Sequence, residues 1–494
     1  MGLKSYFSKI IASVVVKRIK KWTNKPIETQ QKNFEYLIRK ASNTVFGKDH
    51  SFGTISTYDD FKKNVPIRDY EGLKPYIERV VAGEKNVLWK GLPKYFAKTS
   101  GTTSGAKYIP LSKEAIKYHI KSARDALFCY VVESGNSSFF DGKLIFLSGS
   151  PAIEKQNGIY IGRLSGIVNH HVPSFFKGGQ LPTFETNCIE DWETKLDKIV
   201  DETIDEDMRL ISGIPPWMQM YFDKLIERKG EKIKDIFPNL QLLAQGGVNY
   251  EPYRTKINES VGKEIDTIET YPASEGFIAY RDSLKAEGLL LLLNNGIFYE
   301  FIPVDEYFNE NPTRLSIGEV ELGVNYAVIM NTNSGLWGYS IGDTVKFVSK
   351  EPFRVVVTGR IKHFISAFGE HVIGEEVEKA MNFTLKKYPT IKVTEFTVAP
   401  YVSKGEGKSY HEWFVEFENT PDDLATFAKD LDLELTKINT YYDDLISGNI
   451  LNHLKLNALK SGAFIEHMKS KGKLGGQNKV PRLSNDRKFV EGLI

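Results

Sequence analysis

Through roughly the first 350 residues, short apolar runs closed by turn residues alternate with stretches of helical periodicity. Leu144-Ile145-Phe146-Leu147 predicts one strand, and Leu242-Leu243-Ala244, running into Gln245-Gly246-Gly247, predicts another. Phe34, Leu37, Ile38, Ala41 and Val45 recur at helical spacing, with Gly47 where a C-terminal cap belongs. Leu289 to Leu293, Asn294-Asn295-Gly296 and Ile297 to Ile302 predict a β-hairpin, because Asn-Gly supplies the positive φ angles of a tight turn. The fold class is α/β with an added β-rich portion and no internal repeat.

A second, smaller domain of α+β content is expected from Gly359 onward, giving domains 1–358 and 359–494. The strand Phe353 to Val357 closes the first. An amphipathic helix carrying Val377, Ala380, Met381, Thr384 and Leu385 on one face opens the second. His411 to Phe417 alternates as a half-buried strand, with Trp413, Val415 and Phe417 on one side. Thr420-Pro421-Asp422-Asp423 reads as a helix start, and Lys469 to Lys488 as a mobile surface loop.

Composition removes whole classes. With 65 Lys+Arg against 63 Asp+Glu, the formal charge of +2 leaves no global field to gather nucleic acid. Two cysteines, Cys129 and Cys188, without a CxxC, argue against a disulfide scaffold or a cysteine zinc site and for a reducing cytoplasm. The N-terminal apolar run Ile10 to Val16 is too short to span a bilayer and enters Lys17-Arg18-Ile19-Lys20-Lys21, so a basic amphipathic helix capping the domain is expected rather than a membrane anchor. His170-His171 is adjacent and cannot face one ligand from a regular element, which makes a metal site there improbable.

Four segments carry chemistry. Lys98-Thr99-Ser100-Gly101-Thr102-Thr103-Ser104-Gly105-Ala106-Lys107 interleaves hydroxyls and glycines and ends on lysine. Its backbone N–H groups, hydroxyls and point charge suit a polyanion, although a flexible Ser/Gly loop has the same composition, and the spacing is not that of a Walker loop. Glu269-Thr270-Tyr271-Pro272-Ala273-Ser274-Glu275-Gly276 offers an aromatic to stack on a purine and a carboxylate for Mg²⁺, or is an ordinary strand-to-loop turn. Tyr339-Ser340-Ile341-Gly342-Asp343 places a carboxylate after a tight turn, suited to ribose hydroxyls or to fixing its own turn. Gly359-Arg360-Ile361-Lys362 puts an arginine at the domain boundary, free to reach nucleotide or to make a surface ion pair.

In order and spacing these segments resemble the adenylate-forming superfamily of acyl-CoA synthetases, peptide-synthetase adenylation domains and luciferases. Phe34 to Phe52, Gly213-x-Pro215-x-Trp217, Ala273-Ser274-Glu275-Gly276 and Asn478-Lys479-Val480-Pro481-Arg482 resemble one branch, the auxin-responsive acyl acid–amido synthetases (the Gretchen Hagen family). The resemblance implies a large N-terminal adenylate-forming domain and a small mobile C-terminal one. It implies that Ser100, Gly101, Thr102, Thr103, Gly105 and Lys107 form the phosphate loop and that Gly246 and Gly247 face adenine. Thr270, Tyr271, Ala273 and Ser274 would hold adenine and α-phosphate, Glu275 Mg²⁺, Asp343 ribose, and Arg360 the nucleotide near the hinge. Lys479 would approach the phosphates or the reacting carboxylate, while Pro215 and Trp217 would line the acyl pocket. His371, where plant relatives tend to carry lysine, is left unassigned.

The implied reaction has two steps. A carboxylate attacks the α-phosphate of ATP to give acyl-AMP and pyrophosphate, and the amine of an amino acid then attacks the acyl carbonyl. Catalysis falls to Mg²⁺, Lys107 and Lys479, which neutralise charge, with Glu275 as the carboxylate for the metal and no covalent enzyme intermediate. Each step needs different groups at the carbonyl, so rotation of the small domain about the Gly359 region is expected. The rivals are an acid–thiol ligase using coenzyme A and a non-catalytic nucleotide- or acyl-adenylate-binding protein. The expected partners are a small carboxylic acid and an amino acid, with no nucleic acid and no stable membrane insertion. The identity of the acid and the oligomeric state are not legible.

Overall fold

A computed structural model describes residues 2–99, 107–172, 179–189, 191–247, 250–361, 364–365, 372–402, 409–447, 451–472, 480–484 and 487–493. The chain forms two compact units, 1–341 with 346–356, and 342–345 with 357–494. An eleven-stranded sheet organises the first. Its parallel run sets Lys143–Phe146, Met208–Gly213, Leu242–Gly246 and Asp266–Ala273 side by side, with Leu144 opposite Leu210, Ile211 opposite Leu243 and Ala244 opposite Ile268. Both faces are covered. Ile211 and Leu243 pack with Trp192, Trp217, Tyr221 and Phe222, whereas Leu210, Leu242 and Ile268 pack with Phe128, Phe139 and Phe140. Strands buried on both sides must be apolar throughout, which is why these runs stood out as uninterrupted.

The predicted hairpin does not form. Leu289–Leu291 pairs with Gly276–Tyr280 and Phe353–Arg360, whereas Ile297–Pro303 pairs with Asn325–Thr332 at the far edge of the sheet. Gly296 does adopt φ +69°, so the local turn was read correctly. Its flanking polar groups, however, bond to a helix. Gln30 Nε2 donates to both Leu293 O and Ile297 O at 2.8 Å, Asn33 Nδ2 donates to Leu293 O at 2.7 Å, and Tyr299 N–H donates to Gln30 Oε1 at 2.9 Å. Side chains of the helix Pro26–Ala41 thus satisfy backbone groups that a hairpin would have paired. That helix buries Phe34, Leu37, Ile38 and Ala41 as expected, but Gly47 is not its cap. Gly47 lies inside the next helix, Val45–Asp49, and donates to the capping Thr44 Oγ1 at 3.0 Å.

In the second unit, Lys392–Tyr401, Tyr410–Asn419 and Asn452–Leu459 form a three-stranded sheet. The helix Gly374–Lys387 buries Val377, Ala380, Met381 and Thr384, as the spacing predicts. The strand around His411 is not half-buried. Trp413, Val415 and Phe417 pack with the helices bearing Val377 and Phe427, and Phe414 packs on the other face with Phe464, Val490 and Leu493. The buried Glu416 is compensated by accepting from the N–H groups of Gly462 and Phe464, at the start of the helix Ala463–Ser470. The helix predicted at Thr420 starts later, as Leu424–Ile438, with Asp423 as its cap accepting from Thr426 N–H. The expected loose tail, Lys469 to Lys488, is held at its described residues: Lys469 lies in the last turn of the helix Ala463–Ser470, Leu483 is fully buried, and Val398 exchanges backbone hydrogen bonds with Arg482 and Ser484; 473–479 and 485–486 lie outside the described residues. No helix among the described residues is long and apolar enough to cross a membrane.

Candidate active site

Three neighbouring parallel strands end together, and each leads into one of the singled-out segments. Met208–Gly213 continues through Ile214 into the helix Pro215–Lys229; Leu242–Gly246 continues into Gly247; Asp266–Ala273 turns through Ser274-Glu275 into Gly276–Tyr280. The carboxyl ends of adjacent parallel strands form the crevice where open α/β sheets bind ligands.

The fit at these strand ends demands particular residues. Gly246 lies opposite Thr270, and a Cβ on it would fall 2.4 Å from Thr270 O. Gly247 holds φ +83°, which favours glycine. Thr270 Oγ1 donates to Gln245 O at 3.0 Å, tying the two strand ends. Tyr271 is buried opposite Ala279, and Ala273 opposite Gly276, so Ser274 and Glu275 form the tip of a tight turn.

Glu275 is also held from a distance in sequence. Tyr339 Oη donates to Glu275 Oε1 at 3.4 Å. Burial first, then the Glu275 charge, push the Tyr339 hydroxyl well above its ordinary range, so it stays a donor. Asp69 and Tyr70 act on Tyr339 in the same direction. They are brought there by backbone pairing: Arg68 N–H donates to Gly338 O, and Ser340 N–H to Arg68 O, both at 2.8 Å. Tyr70 also meets the end of the predicted phosphate loop, since its hydroxyl accepts from Tyr108 N–H at 3.0 Å and its ring lies 5.3 Å from Lys107 Nζ. Within one unit, Lys107 thus lies beside Tyr70 and Glu275 is bonded to Tyr339, the two tyrosines being brought to one region by the pairing of Arg68 with the Gly338–Ser340 backbone.

Asp343 and Arg360 belong to the other unit, where Arg360 Nε donates to Asp343 Oδ1 at 2.8 Å. Gly342 beside them holds φ +80°, and its carbonyl accepts from Ile361 N–H at 2.7 Å. Thr344 and Thr358 share a buried hydroxyl hydrogen bond of 2.7 Å. Trp217 points into the core, its ring 4.5 Å from that of Trp192, and Pro215 occupies the first turn of the same helix. His170 and His171 have separate partners, Pro151 O and Tyr95 Oη. Ser100, Gly101, Thr102, Thr103, Gly105, His371 and Lys479 lie outside the described residues.

Three residues escaped the sequence reading as site components. Tyr70 has no local motif, and only the pairing of Arg68 with Tyr339 reveals it. Tyr339 stood inside a recognised segment, but its aim at Glu275 depends on tertiary contact. Gln245 is fully buried at the end of its strand, and neither side-chain amide atom is hydrogen-bonded among the described residues. Position directly before Gly246-Gly247 was the available signal. The donor set fits a Mg²⁺-nucleotide: hydroxyls at Thr270 and Ser274, an ammonium at Lys107, a carboxylate at Glu275 and an orphaned buried amide at Gln245. No three His, Cys, Asp or Glu among the described residues cluster as a cage.

The fold is the one seen in adenylate-forming ligases. 2-Hydroxyisobutyryl-CoA ligase, in the postadenylation state with 2-HIB-AMP, matches with a TM-score of 0.59 at 12% identity, covering 96% of this chain and 91% of the ligase. A GH3.15 acyl acid amido synthetase matches with a TM-score of 0.79 at 16% identity, covering 97% and 95%. The chain belongs to the GH3 family: residues 15–183 match its N-terminal domain, 290–360 its central domain and 375–488 its C-terminal domain. Curated relatives include the jasmonoyl–L-amino acid synthetase JAR6 of Nicotiana attenuata, 21% identical over 95% of this chain and 93% of the relative. The indole-3-acetic acid-amido synthetase GH3.3 of Arabidopsis thaliana is 23% identical over 92% of this chain and 88% of the relative.

Proposed function

We propose that this protein is an ATP-dependent acyl acid–amido synthetase that adenylates a small carboxylic acid and passes the acyl group to the amine of an amino acid. The supporting observation is the convergence at neighbouring strand ends of Gly246-Gly247, Thr270–Glu275 and the Pro215 helix start, with Tyr339 bonded to Glu275 and Lys107 beside Tyr70 in the same unit.

In this reading the strand ends receive the nucleotide. The missing side chains at Gly246 and Gly247 let adenine approach the backbone, Tyr271 backs it, and Thr270, Ala273 and Ser274 flank the α-phosphate. Glu275 would be the carboxylate that holds Mg²⁺, and the bound ion would supply charge neutralisation at the phosphates. Tyr339, kept protonated, fixes the Glu275 carboxylate, and Lys107 counters the charge of two anions brought together. Ser100, Gly101, Thr102, Thr103 and Gly105 complete the phosphate loop. Asp343 holds the ribose, Arg360 the nucleotide near the hinge, and Lys479 acts at the reacting carboxylate. Pro215 and Trp217 shape the acyl side, Trp217 from the core by fixing the helix start. Rotation of the small unit between the steps exchanges the groups around the carbonyl.

The deciding experiment is ATP–pyrophosphate exchange across aromatic and aliphatic acids, followed by product analysis with amino acids or coenzyme A as acceptor. Acid-dependent exchange with amide formation is expected. Thioester formation would make the chain an acid–thiol ligase, and absence of exchange with every acid would leave a non-catalytic nucleotide-binding protein.

A further inference from the structure

The helix Leu3–Thr23 is oriented against the usual hydrophobic logic. It buries Ser5, Ser8, Ala12, Val15 and Ile19, while Leu3 (76% exposed), Tyr6, Phe7, Ile10 (52%), Ile11 and Val14 face solvent. This is no loose tail. Asp141 accepts from the N–H groups of Gly2 and Ser5 at the helix start, the Ser5 and Ser137 hydroxyls meet at 3.1 Å, and Ala12, Val15 and Ile19 pack with Phe128, Cys129, Phe139 and Phe140. The small inner residues allow close docking on the domain, so the outer face is presented rigidly. Leu3, Phe7, Ile10, Val14, Lys17 and Lys21 follow one another at alternating four- and three-residue spacing, which lines them along a single stripe. The stripe is apolar over its first half and basic over its second, with Arg18 and Lys20 exposed alongside. Seven Lys and Arg precede Glu28, the first acidic residue of the chain, although the whole molecule is nearly neutral.

We propose that this face docks on an anionic bilayer surface, with Phe7, Ile10 and Val14 at the acyl boundary and Lys17, Arg18, Lys20 and Lys21 among the headgroups. Exposed apolar side chains gain from burial at the acyl boundary, and the clustered cations that continue the stripe are attracted to anionic headgroups. A second copy fits poorly. Parallel pairing would set cation against cation, and antiparallel pairing would set each basic half on the other's apolar half. The proposal concerns a surface apart from the strand-end site and does not depend on the reaction.

The test is co-sedimentation of the full chain with vesicles of phosphatidylcholine alone and of phosphatidylcholine mixed with phosphatidylglycerol, with mass in solution measured by light scattering. Binding to the anionic vesicles, weakened by salt, is expected. Phe7→Glu with Ile10→Glu should abolish it, and Lys17→Glu with Lys20→Glu should weaken partitioning about tenfold or more. Both pairs lie on the exposed face, and an unchanged thermal melt and circular dichroism spectrum will show that the fold is kept. No binding to the anionic vesicles would overturn the proposal, as would binding that ignores both pairs. A dimer dissolved by Ile10→Glu would assign the face to a second copy instead and overturn it equally.

Discussion

Two stretches that the sequence marks as nucleotide-handling both stand on paired strands but differ in how closely their reactive groups are held. At the strand ends, Gly246, Thr270 and Glu275 are set by backbone pairing and close approach, with no room for a Cβ at Gly246. In the other unit, Asp343 and Arg360 also stand on neighbouring strands, Tyr339–Lys350 and Phe353–Arg360, but their side chains meet in a surface ion pair, and the arginine is more than half exposed. A site fixed by the sheet is preorganised, because moving it costs strand pairing. A surface ion pair contributes little to stability and exchanges partners easily. Under the proposed function, the strand ends would be the fixed phosphate end and Arg360 the contact free to change.

The largest expected effect breaks the first half of that contrast. Lys107→Ala or Glu275→Gln should cut acid-dependent pyrophosphate exchange by about 100- to 1,000-fold while shifting the urea midpoint little. Equal losses of stability and exchange would instead make these residues structural. Gly246→Val should destabilise the protein by about 3 kcal/mol in urea titration, because the obstacle is the Thr270 carbonyl, a backbone atom that cannot rotate away. A wild-type midpoint would show that the strand end yields, and the proposed rigidity would go with it.

A pH titration sharpens the contrast at intermediate size. Burial holds His119 down to about 4 from 6.5. The native state thus stays unprotonated in a range where the unfolded chain binds a proton. Its stabilisation is full above pH 6.5 and falls as pH drops towards 4, by up to about 1.4 kcal/mol per pH unit. His50, lowered chiefly by burial, works in the same direction. His119→Gln should flatten stability against pH in this window, and an unchanged slope would assign it elsewhere. The smallest effect belongs to Arg360→Ala, expected to change stability by less than about 1 kcal/mol yet to lower exchange about tenfold. Wild-type exchange would remove Arg360 from the nucleotide contacts.

Much of this was legible locally. Strands buried on both faces must be continuously apolar, so Leu144–Leu147 and Leu242–Ala244 announced themselves, and the glycine, hydroxyl and carboxylate segments carried their chemistry in order. The misreadings share a cause. Asn294-Asn295-Gly296 specified a turn but not which strands flank it, since Gln30 and Asn33 claim the carbonyls on either side. Thr420 could cap a helix, but Asp423 does so. Trp413 announced one buried face of its strand, whereas Phe464, Val490 and Leu493 cover the other.

By itself, then, the order of residues determined the alternation of elements, the family and the chemical character of each segment, because propensity, turn geometry and side-chain chemistry act over a few neighbours. Only the tertiary structure decided that Tyr70 meets Lys107 and Tyr339 meets Glu275, that Trp217 faces the core, and that the first helix turns its large apolar residues outward. Those outcomes depend on which distant surfaces meet, and no local spacing encodes that choice.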